Sequence, residues 1–421
     1  MKACNLSKQY LARNIFQSLL GNTNHVGTAF DYTSSSSVFT TKMELHFDKI
    51  YKIPTAALNI SRSHPYIARD RKWALQFFTV HGLFTLTFLN IVYNIVYHDL
   101  KANNFSQICK NGVLFVVYVV ITFQYCVLLW HQDTFVDLIN DIKRDYEKFK
   151  DLNAIEQDMF NKYVNLGVWV CKQWLVISSF GTGVFIVKTI VLTLYYYCIN
   201  EFKLIPLYDL VYPSMIEENK DNIYVFILTN ALMMVYGFYS AIMYTAYVPL
   251  GPIFMLHACG QLELAKNRID DLFVECDDQV ISRKLKSIIE QLQYIYRYIF
   301  VGRINKIFKI AYELTLKATT IMLPITCYEV LEAFSRGEVS LEFITFIVGS
   351  ILISSSPCYY SDLLMEKGEN VRMSLYTCGW ELHYDRRTRT TLQLMLQNAL
   401  RPIAIQTIFT TLCLDALTDV C

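Results

Sequence analysis

Charge is scarce in this chain. Asp, Glu, Lys and Arg make up 18% of its 421 residues, where a soluble domain carries about 25%. The marks of catalysis are missing too: there is no G-x-S-x-G elbow, no G-x-x-x-x-G-K phosphate cradle and no H-E-x-x-H zinc helix. Gly181-Thr182-Gly183 lacks the third glycine of a dinucleotide fingerprint and falls inside an apolar run, so it reads as a helix-packing patch. The 8 histidines show no ligand spacing, and the 12 cysteines include no C-x-x-C pair. Neither a zinc site nor a disulfide scaffold is indicated. His81, in the middle of an apolar block, reads as a hydrogen-bonded helix residue rather than a metal ligand. A net charge of +1 offers no basic surplus for nucleic acid. The first residues have no apolar core followed by a cleavage site, so no signal peptide is expected. Catalytic residues, metal ligands and cofactors are all expected to be absent.

What is plentiful is apolar side chain, 53% of residues, in long blocks. Seven stand out: Trp73–Tyr97, Val113–His131, Val168–Cys198, Ile223–Met255, Phe308–Phe334, Leu341–Leu363 and Thr391–Cys421. Each is long enough for one helical crossing of a bilayer, and none shows the period-2 alternation of a membrane barrel. The expected fold is all-α: a polytopic protein with seven transmembrane helices.

Lysine and arginine decide the orientation. Residues 1–72, 132–167, 256–307 and 364–390 fall on one side and hold most of the basic residues. The other side, 98–112, 199–222 and 335–340, has only Lys101, Lys110, Lys203, Lys220 and Arg336. The N-terminus is therefore expected in the cytoplasm and the C-terminus outside, opposite to a G-protein-coupled receptor. Trp73, Trp130, Trp169 and Trp174 fall at the inner ends of blocks, where an amphipathic ring favours the interface. Of the sequons at Asn5, Asn59 and Asn104, only Asn104 lies on the outer side and is expected to take a glycan. Cys109 and Cys198 share that side, bridged or free. Residues 1–42, with the run Ser34–Ser37, read as a disordered extension or an upstream start before Met43.

With this topology the outer halves of the second, third, fourth and sixth blocks carry Phe115, Tyr118, Phe185, Tyr195, Phe226, Met233, Tyr236, Phe343 and Phe346. Thr189 and Thr193 add small polar groups. Ser178, Ser179, Gly181, Gly183, Gly349 and Ser350 make room, either for a ligand or for close helix approach. These aromatics are either packing and lipid-facing surface or an apolar pocket with few polar groups, the usual form of a small-molecule site. Lys188 lies too deep to snorkel easily, so a partner is expected, with Glu329 and Glu332 nearest by depth. It forms a structural ion pair or meets the ligand's oxygen.

Three motifs point to a family. Pro357-Cys358-Tyr359-Tyr360-Ser361 is followed by Leu363-Leu364, then by Leu375-Tyr376 with Trp380 and a basic patch, then by Arg401-Pro402-Ile403 opening the last block. The Cys259-Gly260-Gln261-Leu262 core of 249–273 belongs with them. The chain resembles the insect odorant receptors from about His64 to Cys421. Asn200–Glu217 and Pro249–His257 are similar to the moth sex-pheromone branch.

The resemblance implies an odorant-binding subunit of a ligand-gated, non-selective cation channel, assembled with the odorant receptor coreceptor in the plasma membrane of olfactory sensory neuron dendrites. It implies a volatile apolar ligand, and for the pheromone branch a long-chain acetate, aldehyde or alcohol. Segments 256–307 and 364–390 become a cytoplasmic anchor. Within the first of these, Leu285, Ile288, Ile289, Leu292, Ile295 and Ile299 mark one helical face. That face lies against the protein or against partner subunits. The last block, 391–421, becomes the pore helix, with Gln406, Thr410, Thr411, Leu414, Asp415 and Thr418 facing the pore. Asp415 and Asp419 lie at the outer surface or along an aqueous path. Family members continue past the position of Cys421, so the outer pore end is expected to be shortened. A metabotropic seven-helix chemoreceptor is the alternative, opposed by the charge count. A secondary transporter would show repeated halves, and none is visible.

Overall fold

The computed structural model describes residues 46–199, 205–219, 222–274, 277–296, 300–382 and 385–415. They are helical almost throughout, and among them strand-like pairing is limited to one antiparallel bridge, Gln406 to Thr411. Two short helices, α1 (Phe47–Ile50) and α2 (Lys52–Ile60), precede the bundle. Then come α3 (Arg71–Tyr93), which widens into a π-helical turn over Asn94–Asp99, α4 (Phe105–Trp130), α5 (Gln132–Phe149) and the 45-residue α6 (Ala154–Cys198). The single turn α7 (Ser214–Glu217) leads to α8 (Ile223–Tyr247) and α9 (Leu250–Asp270). The chain continues through α10 (Asp278–Tyr296), α11 (Phe300–Ser335), α12 (Leu341–Thr377) and α13 (Arg386–Ala399).

Side chains set the starts of these helices. Asp70, Asn104, Asn153, Asn222 and Asp385 each accept a hydrogen bond from a backbone N–H of the first turn, filling donors the helix leaves open. Among the described residues five helical stretches are long and apolar enough to cross a membrane: Arg71–Asp99, Phe105–Trp130, Ala154–Cys198, Ile223–Asp270 and Leu341–Leu382. Their outward faces keep large apolar side chains exposed, among them Phe78, Leu89, Val176, Phe180, Val191, Leu228 and Phe238. In water such a surface would be a liability; against lipid it costs nothing.

α9 is the hub. It packs on α12, α6, α10 and α11, and nearly all of it is buried, Ile253, Phe254, Met255, Ala258, Cys259, Leu262 and Ala265 completely or almost so. The apolar face expected between residues 281 and 299 closes onto this hub. Ile281, Leu285, Ile288, Leu292 and Ile295 are buried within the chain's own core, Ile289 packs against it, and Ile299 lies outside the described residues.

Several block boundaries move. The third helix starts at Ala154, fourteen residues before Val168, so Trp174 lies mid-helix, where it is buried. The fourth block breaks at Val248-Pro249 and resumes as α9. The sixth runs on to Thr377, making the first half of segment 364–390 helix rather than loop. The largest correction concerns the last block. Read as one helix over 391–421, it is broken among the described residues: helix ends at Ala399, residues 400–413 are not helical, and helix resumes at Leu414 and Asp415. Pro402 supplies no N–H and biases Arg401 away from the helical region, and the β-branched run of Ile403, Ile405, Thr407, Ile408, Thr410 and Thr411 favours extended backbone. The chain instead makes a tight hairpin: Leu412 N–H donates to Ile405 O (2.8 Å), and Thr407 N–H to Thr410 O (2.8 Å).

Candidate functional site

The hairpin docks on the bundle through Ile403, Ile405, Leu412 and Leu414, all buried. Ile403 lies over Gly368, where an added Cβ would stand 3.3 Å from it. Asn305 fixes the backbone, accepting from Gln406 N–H (2.8 Å) and donating to Ala404 O (3.3 Å). Gln406, Thr410 and Thr411 are exposed, Asp415 is half-buried and Leu414 is in the core. Gln406, Thr410 and Thr411 belong to the non-helical hairpin, and Leu414 and Asp415 to the helix that resumes after it. Thr418 and Asp419 lie outside the described residues.

The main cavity lies at the other end of the bundle and measures about 150 Å³. α4 contributes Leu114 and Val117, α6 the run from Trp174 to Phe185, α8 Tyr236 to Tyr244, α11 Met322, and α12 Glu342 to Ile353. Tyr208, from the connection between α6 and α8, completes it. That connection is held in place by side chains. Asn94, in the π-helical turn, donates to Val211 O (2.6 Å) and accepts from Val211 N–H (2.7 Å). Asn230 accepts from Leu207 N–H (2.9 Å), and Gln107 donates to Asp209 O (2.7 Å). Tyr208 thereby packs edge-on against Phe185 at 5.1 Å, and Phe185 lies 5.8 Å from Phe346. Burial pushes the Tyr208 phenol well above its ordinary range, so it stays neutral.

The walls are tied together by hydroxyls turned onto backbone. Tyr236 donates to Leu114 O (2.6 Å), joining α8 to α4. Ser178 donates to Trp174 O and meets Thr245 at 2.7 Å, and Thr182 donates to Gly237 O (3.3 Å), joining α6 to α8. Ser240 and Thr345 bond within their own helices. The cavity surface is therefore mostly hydrocarbon.

Of the residues expected at the site, Phe185, Tyr236 and Phe346 line this cavity, with Ser178, Gly181, Gly349 and Ser350. The others stand elsewhere. Tyr118 stacks on Phe88 at 3.8 Å, and Phe115 packs on the same ring. Met233 and Phe343 are buried beside the cavity wall, Thr189 donates to Phe185 O, Phe226 is half-buried, and Tyr195 is 59% exposed on the outer surface of α6. Lys188 has a partner other than the two expected: it donates to Glu342, at the start of α12. Glu329 is taken by Ser106 (3.1 Å), and Glu332 lies 3.8 Å from Arg336. Trp174, Tyr208, Tyr244, Met322 and Glu342 were not anticipated. An acidic residue opening an apolar block was the available signal for Glu342.

His81 approaches the Tyr239 hydroxyl at 3.4 Å within a ring cluster of Phe77, Tyr125 and Tyr239. Cys109 and Cys198 are free thiols. Asn104 caps α4 through its Oδ1, leaving its exposed amide nitrogen clear. Among the described residues no group of three or more His, Cys, Asp or Glu is placed to hold a metal.

The 7tm Odorant receptor family matches residues 104–421. No curated protein sequence matches the chain. Among solved structures, the insect olfactory receptor OR5 from Machilis hrabei shares the fold with a TM-score of 0.67 at 14% identity, over 90% of this chain and 96% of that one. The same receptor in complex with eugenol gives a TM-score of 0.69 at the same identity and coverage. At this identity the likeness speaks for the fold, and the match running from Asn104 to Cys421 decides the rest: the chain belongs to the 7tm odorant receptor family.

Proposed function

We propose that the chain is the odorant-binding subunit of a ligand-gated, non-selective cation channel, and that the cavity beside Phe185 receives the odorant. The supporting observation is the cavity itself, about 150 Å³ with apolar walls and few polar groups. That volume is about that of engineered apolar cavities that take a single benzene ring. Its ligand is a volatile apolar molecule, held mainly by burial at about 0.8 kcal/mol per methylene. The Machilis receptor of the same fold was solved in complex with eugenol. A pheromone-like acetate, aldehyde or alcohol with a long chain exceeds a ring-sized space. It requires the cavity to lengthen past Gly181 and Gly349, where an added Cβ would meet no atom within 4 Å.

The partner is an odorant receptor coreceptor subunit in a heterotetramer, in the plasma membrane of an olfactory neuron's dendrite. Opening is a population shift toward the state that binds odorant better. The last segment lines the pore, with Gln406, Thr410, Thr411, Leu414, Asp415 and Thr418 along it in the conducting state, and the Asp415 carboxylate concentrates cations.

The test is current recorded from cells expressing the chain with and without the coreceptor, during a panel of ring-sized and long-chain volatiles. Odorant-gated current only in company supports the reading. A response that requires a G protein supports a metabotropic receptor instead. Filling the cavity with Gly349→Leu should abolish the response while surface expression holds.

A further inference from the structure

Glu342 is 6% exposed, lines the cavity and sits in the first turn of α12. Lys188 donates to its Oε1 from α6, yet Lys188 is not part of the cavity wall. A ligand thus meets the carboxylate and not the ammonium. The second oxygen, Oε2, has no hydrogen bond to any described residue. The neighbouring hydroxyls of Ser178, Thr182, Tyr236, Ser240 and Thr345 are committed to backbone carbonyls. Tyr208 and Tyr244, which also face the cavity, can donate or accept. A carboxylate can only accept.

A molecule that fills a space this small touches every wall and shuts water away from Oε2. If it carries only lone pairs, as an ether or ester does, the buried oxygen is left without a partner, which is costly for a charged group. If it carries a hydroxyl, the bond is restored, and one to a charged acceptor is stronger than a neutral one. A protonated amine would bring a second cation beside Lys188, which disfavours it. Resting on the assignment of this cavity as the odorant site, we propose that it selects neutral hydrogen-bond donors, ring-sized alcohols and phenols, over isomers that only accept, and that Glu342 reads the donor.

The experiment uses the chain co-expressed with a coreceptor subunit and three probes: benzyl alcohol, p-cresol and their isomer anisole, which only accepts. Benzyl alcohol and p-cresol should act at concentrations roughly 10- to 100-fold below anisole. Glu342→Gln has nearly the same shape but can also donate, and should bring the ratio to within about threefold, mostly by improving anisole. Glu342→Asp keeps the carboxylate and should keep the preference, which leaves a readable variant if the glutamine form fails to reach the surface. Anisole equal to benzyl alcohol in the wild type, a ratio unchanged in Glu342→Gln, or silence toward all three probes overturns the proposal. Gly349→Leu separates the levels. If it leaves every response intact, the cavity is not the odorant site. If it abolishes them while anisole and benzyl alcohol act alike, the site stands and the role of Glu342 falls.

Discussion

Around α9, each charged side chain that enters the interior is tied to another. Arg268 donates to Glu156 (2.8 Å) and Gln291 (3.0 Å), His257 meets Asp145 at 3.0 Å, Lys367 lies 2.7 Å from Glu263, and Arg303 bonds Asp141. Around the cavity a single ion pair among the described residues, Lys188 with Glu342, stands among hydrocarbon and glycine. One end is filled and cross-linked between helices; the other keeps a void. The difference separates a fixed platform from a part with room to change shape, because interiors packed without voids transmit strain rather than yield.

The largest test of that contrast is Arg268→Met. Arg268 joins α6, α9 and α10, and its loss leaves Glu156, 7% exposed, without its cation. A loss of about 3–5 kcal/mol is expected, read as a fall in thermal midpoint of the detergent-solubilised protein. A midpoint unchanged from wild type would mean the platform is not held by its charges.

Next in size is a pair of glycines. A Cβ on Gly251, in α9, would collide with the Tyr312 hydroxyl. Tyr312 is stacked on Phe308 at 5.2 Å and buried, so it cannot swing aside, and its hydroxyl has no hydrogen-bond partner among the described residues. Gly251→Ala should cost about 1–3 kcal/mol, and Tyr312→Phe should restore most of it by removing the oxygen. At the cavity end the same change has the opposite sign. Gly349→Ala meets nothing within 4 Å, and alanine is the better helix former by roughly 0.5–1 kcal/mol. A stability gain there beside a loss at Gly251 would sharpen the contrast; two losses of equal size would erase it.

How much of this was legible beforehand follows from the same physics. Long apolar runs announce helices because the bilayer requires them, so every block but the last appeared as helix. The last is broken in its middle, and the warning signs were in the sequence: Pro402 and the threonine–isoleucine run that follows it carry weak helix propensity, which apolarity alone conceals. The aromatic site was read from depth along each block. Depth finds Phe185, Tyr236 and Phe346, but which helix faces meet is a matter of neighbours and rotation. Tyr118 and Tyr195 share the depth and face elsewhere. Lys188 was seen to need a partner, yet Glu342 comes from a helix whose adjacency no local pattern reveals. Tyr208 was hidden because it enters from a connection, placed by Asn94, Asn230 and Gln107 rather than by any periodicity.

The smallest effect is one of pH, and part of it has its source at the α9 end. His64 lies between α2 and α3, outside the apolar spans. Its Nδ1 accepts from Tyr66 N–H (3.4 Å), while its buried Nε2 stands 3.7 Å from Asp48 with no hydrogen bond. Burial lowers its pKa below the ordinary 6.5; Asp48 opposes the shift, and Lys143, 3.7 Å from Asp48, adds to it. The unfolded chain therefore takes up the proton first. The contribution of neutral His64 is present above the unfolded value and is lost as the pH falls below it. Burial lowers His131 as well, with Lys306 adding to the effect, so two groups pull the same way. Acidifying the purified protein from about pH 7.5 to about 5.5 should lower its thermal midpoint. His64→Gln keeps an acceptor for Tyr66 and a donor toward Asp48 without the titration. It should flatten that slope in part, with His131 among the groups that supply the remainder. A slope unchanged in His64→Gln would place the acid sensitivity elsewhere, and one located at the cavity would reverse the assignment of the yielding and the fixed ends.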